Sequence, residues 1–367
     1  MNILMVCPDW FPFSAGLSQS CHALCKEFEA HGHNVRVLVA DDGNVEKKGL
    51  NVHPIPYLFR ILGRSPVLWN PWKKIKNHIK WCDTVCLFSY MYVMNSQIVK
   101  LRSKGKFDKP LIHFYRGSLE DGVLNQVSLP VRIAKWVYDR TVGKRMFTEV
   151  DHIISNAKSV LSLITEKYGV SKEKMTYVKN ALHVNEFDAL KEKKKRVIFI
   201  GRLIENKGVK LFKDISEVVP DDWEFVIVGD GPMRQHVENI AKNKNNVVYK
   251  GRETYENTKK ILSESSILAL PSFAEGSPRV VMEASACGIS SIAFNVGDVD
   301  QTIPEDCGYV IPAFDKKEFV LKVKELIHDT EDRISKGINA RKFAEKELDW
   351  SINYPKIEEK IEEVVGK

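Results

Sequence analysis

The chain has 367 residues, of which 44% are hydrophobic and 28% charged, the composition of a globular protein of about two domains. Seven cysteines in a chain of this length make no disulfide scaffold, and the absence of a C-x-x-C pair favours buried thiols in a reducing compartment over a metal site. The net charge of +7 divides unevenly: residues 1–180 carry 26 Lys and Arg against 15 Asp and Glu, and the remainder carries 29 against 33. Halves at +11 and −4 indicate that each meets a different partner.

Short apolar runs alternate with amphipathic stretches along the whole chain. Most of the runs are continuously apolar, as expected of strands covered on both faces of a sheet. The stretches between them, such as residues 17–31 and 232–242, are typical of helices. This order predicts parallel, doubly wound α/β sheets. In chain order the predicted strands are residues 3–7, 35–40, 84–89, 110–115 and 152–156, followed by 196–200, 224–228, 247–250, 267–271, 290–294 and 309–311.

A charged connector, KEKKKR at residues 191–196, separates the two series of strands, and residues 180–187 before it show no periodicity. We therefore expect an N-terminal domain over residues 1–180 and a C-terminal domain over 192–348, facing each other across a cleft. An amphipathic helix at about residues 350–367 is expected to pack back on the first domain. The first residues lack a basic segment followed by an apolar core, and no uncharged run is long enough to cross a bilayer, so we expect a cytoplasmic protein.

Common catalytic and nucleotide motifs are missing from the sequence. It contains no G-x-x-x-x-G-K-[ST] phosphate loop, no H-E-x-x-H zinc motif and no G-x-S-x-G nucleophile elbow. No G-x-G-x-x-G follows the first predicted strand, which argues against a dehydrogenase. The candidate site therefore has to come from other loops.

The loop after the sixth predicted strand carries the first candidate, GRLIENKG at residues 201–208. Arg202 and Lys207 lie at the carboxyl end of the strand, where ligands of α/β sheets bind. A guanidinium fork, a point charge and exposed backbone N–H groups together suit a diphosphate. Taken alone, the loop also fits an ordinary solvated connection with two basic residues.

The second candidate is PSFAEGSPRVVMEASACG at residues 271–288. Glu275 and Glu283 lie eight residues apart, on either side of the start of a helix predicted from about Pro278. Carboxylates accept hydrogen bonds from vicinal hydroxyls, so one can hold a ribose and the other a sugar, while the helix N-terminus favours phosphate. The alternative is an acidic helix start plus one buried or capped glutamate.

Together the two loops resemble the nucleotide-sugar site of the GT-B glycosyltransferases of family 4. The spacing Glu275-x7-Glu283 matches the E-x7-E motif of that family, and the sequence similarity extends to VGDGP at 228–232, YKGR at 249–252 and CPDWFPFSAG at 7–16. The resemblance implies two Rossmann-like domains and a retaining, metal-independent enzyme without a cofactor, whose co-substrate is a nucleoside-diphosphate sugar, with UDP favoured by family habit. Asp298-Val-Asp300 has the form of a metal motif, but we interpret it as helix capping.

The resemblance also assigns roles to individual residues. As catalytic residues, Arg202 and Lys207 would neutralise the donor diphosphate and stabilise the leaving group, and Glu275 would hold hydroxyls of the donor sugar. Glu283 would bind the ribose, and Gly16 would let the first domain approach the phosphates closely. The other expected donor contacts are Gly201, Gly251, Arg252, Ser277, Pro278, Arg279 and Val280.

The sequence departs from the family pattern after the fourth predicted strand, where HFYRGS places Arg116 before Gly117 and many members have His-Gly. An arginine cannot act as a base there, but it can donate hydrogen bonds to a sugar or bind an anionic acceptor. His113, within the strand, is the alternative histidine. Arg116 also favours a second hypothesis, a non-catalytic GT-B partner or regulator that binds nucleotide sugars. A sugar epimerase of the same architecture is a third.

The basic half has a pattern of its own, because no acidic residue lies between Glu46 and Asp83. Cations beside aromatic rings suit an anionic membrane surface, and a solvated basic face over core tryptophans is the alternative. No nucleic-acid-binding module is visible. The two clusters are Lys47, Lys48, Tyr57, Phe59, Arg60, Arg64, Trp69, Trp72, Lys73, Lys74, Lys76, Lys80 and Trp81, and Arg132, Lys135, Trp136, Tyr138, Arg140, Lys144 and Arg145.

The sequence thus predicts a retaining, hexosyltransferase-type enzyme. We expect it to move a sugar from a nucleoside-diphosphate sugar to a hydroxyl of a lipid-linked or polymer glycan in cell-surface glycan synthesis. Its expected partners are the nucleotide sugar, the glycan acceptor and the inner face of the cell membrane, on which it would be peripheral, and not nucleic acid.

Overall fold

The structure is a computed structural model that describes residues 1–12, 16–61, 65–90, 92–116, 133 and 136–366. It contains two compact units, one formed by Met1–Asn180 with Asn353–Lys367 and the other by Ala181–Ile352. Four residues named from the sequence, Arg64, Gly117, Arg132 and Lys135, lie outside the described part of the chain.

The described part of the first unit is built on a seven-stranded parallel sheet and a small antiparallel hairpin. Its strands are β1 (Asn2–Val6), β2 (Asn34–Ala40), β3 (Val52–Ile55), β4 (Phe59–Ile61), β5 (Ser65–Val67), β6 (Thr84–Phe88), β7 (Leu111–Tyr115), β8 (His152–Ser155) and β9 (Met175–Tyr177). The sheet order is β3-β2-β1-β6-β7-β8-β9, and β4 pairs with β5. In register, Ile3 of β1 lies opposite Val35 on one side and Thr84 on the other.

The second unit holds a six-stranded parallel sheet. Its strands are β10 (Arg196–Ile200), β11 (Glu224–Val228), β12 (Val247–Gly251), β13 (Ile267–Leu270), β14 (Ser290–Phe294) and β15 (Gly308–Ile311). The order β12-β11-β10-β13-β14-β15 is that of a Rossmann sheet, in which the chain first builds outward on one side of β10 and then on the other. Ile198 of β10 accordingly pairs with Val226 and Leu268 on its two sides.

Helices connect the strands of both sheets. In the first unit they are α1 (Gly16–Ala30), α2 (Pro71–Trp81), α3 (Val93–Ser103), α4 (Lys144–Thr148) and α5 (Lys158–Tyr168). In the second unit they are α6 (Phe212–Val218), α7 (Arg234–Asn243), α8 (Tyr255–Ser263), α9 (Arg279–Ala286), α10 (Lys316–His328) and α11 (Thr330–Phe343), and the last helix is α12 (Trp350–Val365).

The predicted strands are confirmed to within a residue or two at their ends. Continuous burial explains why they were visible in the sequence: every residue of β6, β7 and β14 is buried, so polar residues seldom interrupt the runs. The seven cysteines are all free and buried, as predicted. Sequence analysis missed β3 and β9, which form the two edges of the first sheet. Edge strands are short here, and Pro54 within β3 is a residue that weakens a strand prediction.

The last helix, α12, packs on the end of α1 within the first unit. The Tyr354 ring stacks on His31 with 4.0 Å between ring centroids, and it meets Phe28 edge-on at 5.8 Å. Next to it, the His33 Nε2 lies 2.8 Å from the Glu358 Oε1. These contacts tie the C-terminal end of the chain to the turn between α1 and β2, where Gly32 has φ of +84° and ends the helix.

Candidate functional site

The loops that follow β10 and β13 meet at one point on the carboxyl edge of the second sheet. The two strands are neighbours, and the strand order reverses between them. Such a switch point leaves a crevice at the strand ends, which is the usual ligand position of doubly wound sheets. Residues 201–211 follow β10 and residues 271–278 follow β13, so both sequence motifs lie at this point.

The first of these loops is fixed by hydrogen bonds to the loop after β11. The Gly201 N–H donates to the Val228 carbonyl at 3.0 Å, and the Leu203 N–H donates to the Asp230 carbonyl at 2.9 Å. Two single 3-10 turns, Glu205–Lys207 and Val209–Leu211, precede α6. The chain after this loop therefore begins as 3-10 turns and becomes α-helical only at Phe212.

Gly208 fits the first loop against the second. Its φ is +70°, and a Cβ there would lie 1.9 Å from the carbonyl oxygen of Pro271. Only glycine meets both conditions, since any side chain would force the loops apart. The Phe273 N–H donates to the Asn206 carbonyl at 2.8 Å, which completes the main-chain contact between the loops.

The same contact brings two of the expected catalytic residues together. The Lys207 Nζ lies 2.5 Å from the Glu275 Oε1, and the side chains are only 19% and 11% exposed. A partly buried ion pair of this length is a strong, charge-assisted hydrogen bond. The site thus presents a cation and a carboxylate at a fixed separation, held by the loops after two adjacent strands.

The loop that follows β14 donates a hydrogen bond to the second loop and so supports it. The Asp298 N–H donates to the Gly276 carbonyl at 3.0 Å. Asp298 precedes the 3-10 turn Val299–Gln301, but its side chain makes no capping hydrogen bond to that turn. The interpretation of this aspartate as a helix cap is therefore wrong, and its backbone N–H instead stabilises the second loop. Among the described residues, no group of three His, Cys, Asp or Glu side chains is placed to hold a metal ion.

Glu283 is buried in α9, with 7% of its surface exposed. Its Oε1 lies 3.2 Å from the Tyr255 hydroxyl and 3.3 Å from the Arg279 Nε. Burial raises the pKa of the Glu283 carboxyl, and Arg279 and Tyr255 oppose that shift. Burial also works against the charge of Arg279, but Glu283 and Tyr255 outweigh it and raise the pKa of that guanidinium. Arg279 therefore pairs one helical turn along α9 with Glu283.

The other expected donor contacts lie around the same edge of the second sheet. The helix was predicted to start at about Pro278. In the structure Pro278 is extended, with φ of −72° and ψ of 115°, and it precedes the helix. Gly251 ends β12, and its carbonyl accepts a hydrogen bond of 2.7 Å from the Gly229 N–H. The side chains of Arg202 and Arg252 are exposed, and Ser277 and Val280 are half-buried.

Three candidate site residues named from the sequence belong to the first unit. Gly16 is the first residue of α1, and a Cβ there would meet no atom within 4 Å among the described residues. Arg116 directly follows β7, and its Nη1 donates to the Tyr115 carbonyl at 2.9 Å. His113 is 0% exposed, and its Nε2 lies 3.3 Å from the Ser89 carbonyl oxygen. A histidine enclosed in this way cannot contact a ligand, so His113 does not replace the family histidine.

Some aromatic side chains of the two basic clusters are exposed at the surface, and others are packed within the fold. Trp69 is 69% exposed and Trp136 is 55% exposed, with the Arg140 guanidinium 4.4 Å from the Trp136 ring. Trp72 and Trp81 are half-buried, and Tyr138 donates to the Tyr90 carbonyl at 2.8 Å. No helix in the described part of the chain is long and apolar enough to cross a bilayer.

Sequence reasoning missed Tyr255 and Asn206 as parts of the site. Tyr255 lies 28 residues before its partner Glu283, and nothing in its surroundings marks it. Asn206 lies inside the first motif, and its contribution is a backbone carbonyl, which any residue type supplies. The packing of α8 on α9 reveals Tyr255, and the contact between the two loops reveals Asn206.

The chain matches two families, each over one of the units. The family described as Glycosyltransferase Family 4 matches residues 14–186, and the family described as Glycosyl transferases group 1 matches residues 184–343. Two solved structures are similar over the whole chain. Sucrose-phosphate synthase from Thermosynechococcus elongatus gives a TM-score of 0.79 at 15% identity, covering 100% of this chain and 99% of that one. Anabaena HepE in complex with UDP gives 0.79 at 16% identity, covering 99% and 100%.

Curated relatives match over long stretches as well. An uncharacterized glycosyltransferase of Methanocaldococcus jannaschii is 23% identical over 361 residues, 92% of this chain and 87% of its own length. A Campylobacter jejuni enzyme is 29% identical over 209 residues, 54% of this chain and 57% of its own. Its name is GalNAc-alpha-(1->4)-GalNAc-alpha-(1->3)-diNAcBac-PP-undecaprenol alpha-1,4-N-acetyl-D-galactosaminyltransferase.

Two Rossmann-like units with these loops and neighbours define a glycosyltransferase of the GT-B fold, an enzyme that transfers a sugar. The chain belongs to glycosyltransferase family 4.

Proposed function

We propose that the protein transfers a sugar from a nucleoside-diphosphate sugar, with UDP favoured, to a hydroxyl of a lipid-linked or polymer glycan. In this proposal the reaction retains the anomeric configuration and needs no metal. The observation that carries it is the Lys207–Glu275 pair at the switch point of the second sheet, with Arg202 in the same loop. The complex of Anabaena HepE with UDP supports the donor, and the name of the Campylobacter relative supports a lipid-linked acceptor.

The proposed chemistry divides the work between cations and carboxylates. Breaking the bond between the anomeric carbon and the donor phosphate leaves negative charge on the departing diphosphate. Arg202 and Lys207 would stabilise that charge, since fixed cations in a partly buried site act more strongly than water. Glu275 would accept hydrogen bonds from hydroxyls of the sugar, and Glu283 from those of the ribose. The acceptor oxygen would bond to the anomeric carbon on the face that the diphosphate leaves, and the proton of the acceptor hydroxyl would pass to an oxygen of the departing diphosphate.

Binding of the donor would separate Lys207 from Glu275. In the structure the Lys207 Nζ and the Glu275 Oε1 satisfy each other at 2.5 Å. A diphosphate offers Lys207 a stronger partner, and the sugar hydroxyls then satisfy Glu275. The pair would thus keep both groups in position and exchange one set of hydrogen bonds for another when the donor binds.

A panel of nucleotides and their sugars tests the proposal. UDP and UDP-sugars should raise the melting temperature of the purified protein more than GDP or ADP compounds, because ligand binding stabilises by mass action. Slow hydrolysis of one UDP-sugar should release the sugar with unchanged anomeric configuration, as seen by NMR, and EDTA should leave the rate unchanged. Binding without any turnover would favour the non-catalytic regulator, and no binding of any nucleotide would overturn the proposal.

We also propose that the basic half associates with an anionic membrane. The hairpin of β4 and β5 supports this, because Leu58, Phe59 and Trp69 on and beside it are 56%, 55% and 69% exposed. Exposed lysines of the adjacent helix α2, Lys73 and Lys76, add positive charge. Aromatic rings and lysines together suit the headgroup region of an anionic bilayer.

Vesicle flotation tests the membrane proposal. The protein should float with vesicles that contain anionic phospholipid and not with purely zwitterionic ones. The double variant Phe59→Ala/Trp69→Ala should lose flotation. Ile334→Ala, which removes a side chain 54% exposed in the second unit, should retain it. Equal flotation of both variants would show that the hairpin is not the docking surface.

A further inference from the structure

Arg116 lies at the carboxyl end of β7, a strand inside the first sheet between β6 and β8. Ser89 follows the end of β6 and Asn156 follows the end of β8, so the three residues line neighbouring positions of the same edge. This edge is the ligand side of a doubly wound sheet. The family histidine is absent here, and an arginine stands at its position.

The guanidinium of Arg116 is enclosed by neutral groups. Its Nη1 donates to the carbonyls of Tyr115 at 2.9 Å and Ile154 at 3.4 Å. It lies over the rings of Phe88 and Phe114, at 5.4 and 5.7 Å from the ring centroids. Its Nε is inaccessible to solvent and has no hydrogen-bond partner among the residues that the structure describes.

No carboxylate among the described residues pairs with Arg116, in contrast to three other arginines of the chain that are mostly buried. Arg60 pairs with Asp9 and Asp42, Arg196 with Glu224 and Arg279 with Glu283, and their side chains are 15%, 9% and 19% exposed. Burial lowers the pKa of the Arg116 guanidinium to about 10. A cation held in such surroundings is costly unless an anion joins it.

The surroundings of Arg116 are also held in place. Ser89 has a left-handed backbone, with φ of +72°, and its hydroxyl donates to the Arg116 carbonyl at 3.1 Å. The Asn95 side-chain amide holds the left-handed turn by donating to the carbonyls of Phe88 and Ser89, both at 3.0 Å. Within the described part of the chain, the buried Asn156 Oδ1 has no hydrogen-bond partner. Strained backbone with fixed polar groups is more typical of a binding position than of a surface turn.

We propose that Arg116 is a specificity residue that binds a phosphate group of the acceptor at the carboxyl edge of the first sheet. The inference rests on the proposed function and deepens it, because it names the chemistry of the acceptor. The phosphate of a lipid-linked acceptor and that of a soluble sugar phosphate offer the same oxyanion. A guanidinium is suited to either, since it donates two parallel hydrogen bonds to phosphate oxygens.

A thermal-shift experiment with inorganic phosphate tests the site itself. Saturating UDP is kept present so that the donor site is occupied, and ionic strength is held constant with chloride. Phosphate should raise the melting temperature of the wild type by several degrees, have little effect on Arg116→Gln and have a reduced effect on Arg116→Lys. In Arg102→Gln, where the lost partner is Asp151 at 2.8 Å, the phosphate shift should be unchanged. Equal shifts in wild type and Arg116→Gln, or none in either, would overturn the proposal.

The same variants separate this inference from a purely structural role and from the donor site. Without ligand, Arg116→Gln should melt at or above the wild-type temperature, because it removes an unpaired charge. A large drop would show that Arg116 only stabilises the fold. The UDP-induced shift should be the same in both proteins; its loss in Arg116→Gln would place the residue in the donor site. If the wild type itself binds no UDP, the proposed function fails. The phosphate shift then still reports whether Arg116 binds phosphate.

Kinetics identify the source of the phosphate. With a glycan acceptor offered as polyprenyl phosphate, as soluble sugar phosphate and as neutral glycoside, Arg116→Gln should raise KM about 10- to 100-fold for the preferred phosphate acceptor. The KM for the neutral glycoside and kcat should change little. Wild-type preference for the polyprenyl compound would identify a lipid acceptor, and preference for the soluble one a sugar phosphate. Equal KM for phosphate and neutral acceptors in the wild type would contradict the inference.

Discussion

Lys207 and Glu275 stand 68 residues apart in the sequence and form an ion pair of 2.5 Å at the switch point of the second sheet. The resemblance to family 4 assigned them separate roles, one toward the diphosphate and the other toward the sugar. The structure instead joins them in one ion pair. A change in one residue must therefore affect the position of the other and remove its partner.

Replacing Lys207 with alanine is expected to lower kcat/KM by about 100-fold or more, because a fixed cation that stabilises the leaving group is lost. Glu275 then remains partly buried without its partner, which should lower the free energy of unfolding by roughly 1–3 kcal/mol without unfolding the protein. Glu275→Ala should also abolish transfer. Steady-state kinetics and urea denaturation measure both effects.

The same loop supplies a matched control for this ion pair. Lys210 pairs with Glu205, but their side chains are 63% and 65% exposed. Exposed pairs contribute little, so Lys210→Ala should leave activity and stability close to wild type. The double variant Lys207→Ala/Glu275→Ala should lose less free energy of unfolding than the sum of the two single losses, because the two groups are in contact. Full additivity would contradict the coupling.

Gly208→Ala and Gly251→Ala form a second matched pair, because both glycines have nearly the same φ, +70° and +69°. Alanine in this conformation costs about 1–2 kcal/mol at either position. At Gly251 nothing lies within 4 Å of the added Cβ, whereas at Gly208 it would lie 1.9 Å from the Pro271 oxygen. Gly208→Ala should therefore lose clearly more stability, and also activity, since the loops carrying Lys207 and Glu275 must separate.

Urea denaturation and donor-binding shifts distinguish the two glycine variants. Gly251→Ala should keep most of the UDP-induced rise in melting temperature, and Gly208→Ala should lose most of it. If the two variants lose equal stability, the close packing of the loops on Pro271 is not what fixes the site.

The sequence predicted where the two loops of the candidate site lie, because parallel strands bring their carboxyl ends to one edge of the sheet. Knowing where β10 and β13 end was enough to place the loops of Arg202 and Glu275, and the strand order follows the usual pattern of a doubly wound sheet. The start of α9 was predicted to within one residue for a different reason, because Pro278 marks where the helix begins.

Side-chain partners inside the site were beyond sequence reasoning. The family resemblance implied that Arg279 contacts the donor, and in the structure its guanidinium pairs with Glu283 one turn along the helix. Tyr255, which donates to the same carboxylate, comes from the helix after β12. Such contacts depend on how α8 and α9 pack, and no spacing along the chain encodes that distance.

Glu283→Gln should weaken UDP binding and destabilise the second unit. The amide keeps the shape of the side chain but not its charge, so Arg279 would remain enclosed without a counterion. We expect a loss of roughly 1–3 kcal/mol in the free energy of unfolding. Tyr255→Phe removes one hydrogen bond of 3.2 Å to the same oxygen and should cost about 1 kcal/mol.

Titrations of UDP binding complete the comparison of these two variants. If Glu283 binds the ribose, Glu283→Gln should raise the UDP dissociation constant about 10-fold or more, and Tyr255→Phe only a few-fold, because the carboxylate remains. Unchanged UDP affinity in Glu283→Gln, together with the stability loss, would assign Glu283 a structural role alone.

His113 should make the stability of the first unit depend on pH below neutrality. Burial lowers its pKa from 6.5 in the unfolded chain to about 4 in the folded one. Above pH 6.5 the imidazole is neutral in both states and stability is complete. As the pH falls from 6.5 to 4, the unfolded chain binds a proton that the folded chain rejects, so about 3 kcal/mol is lost.

Chemical denaturation of the wild type and of His113→Gln at pH 7.5, 5.5 and 4 isolates this effect. The other groups titrate alike in both proteins, so the difference between their free energies of unfolding reports on His113. That difference should be constant above pH 6.5 and should fall steadily toward pH 4, the wild type losing more. NMR of the folded protein should show no protonation of this ring at pH 5.5. A difference that stays constant across the whole range would mean that His113 is not enclosed between β7 and Ser89 as the structure has it.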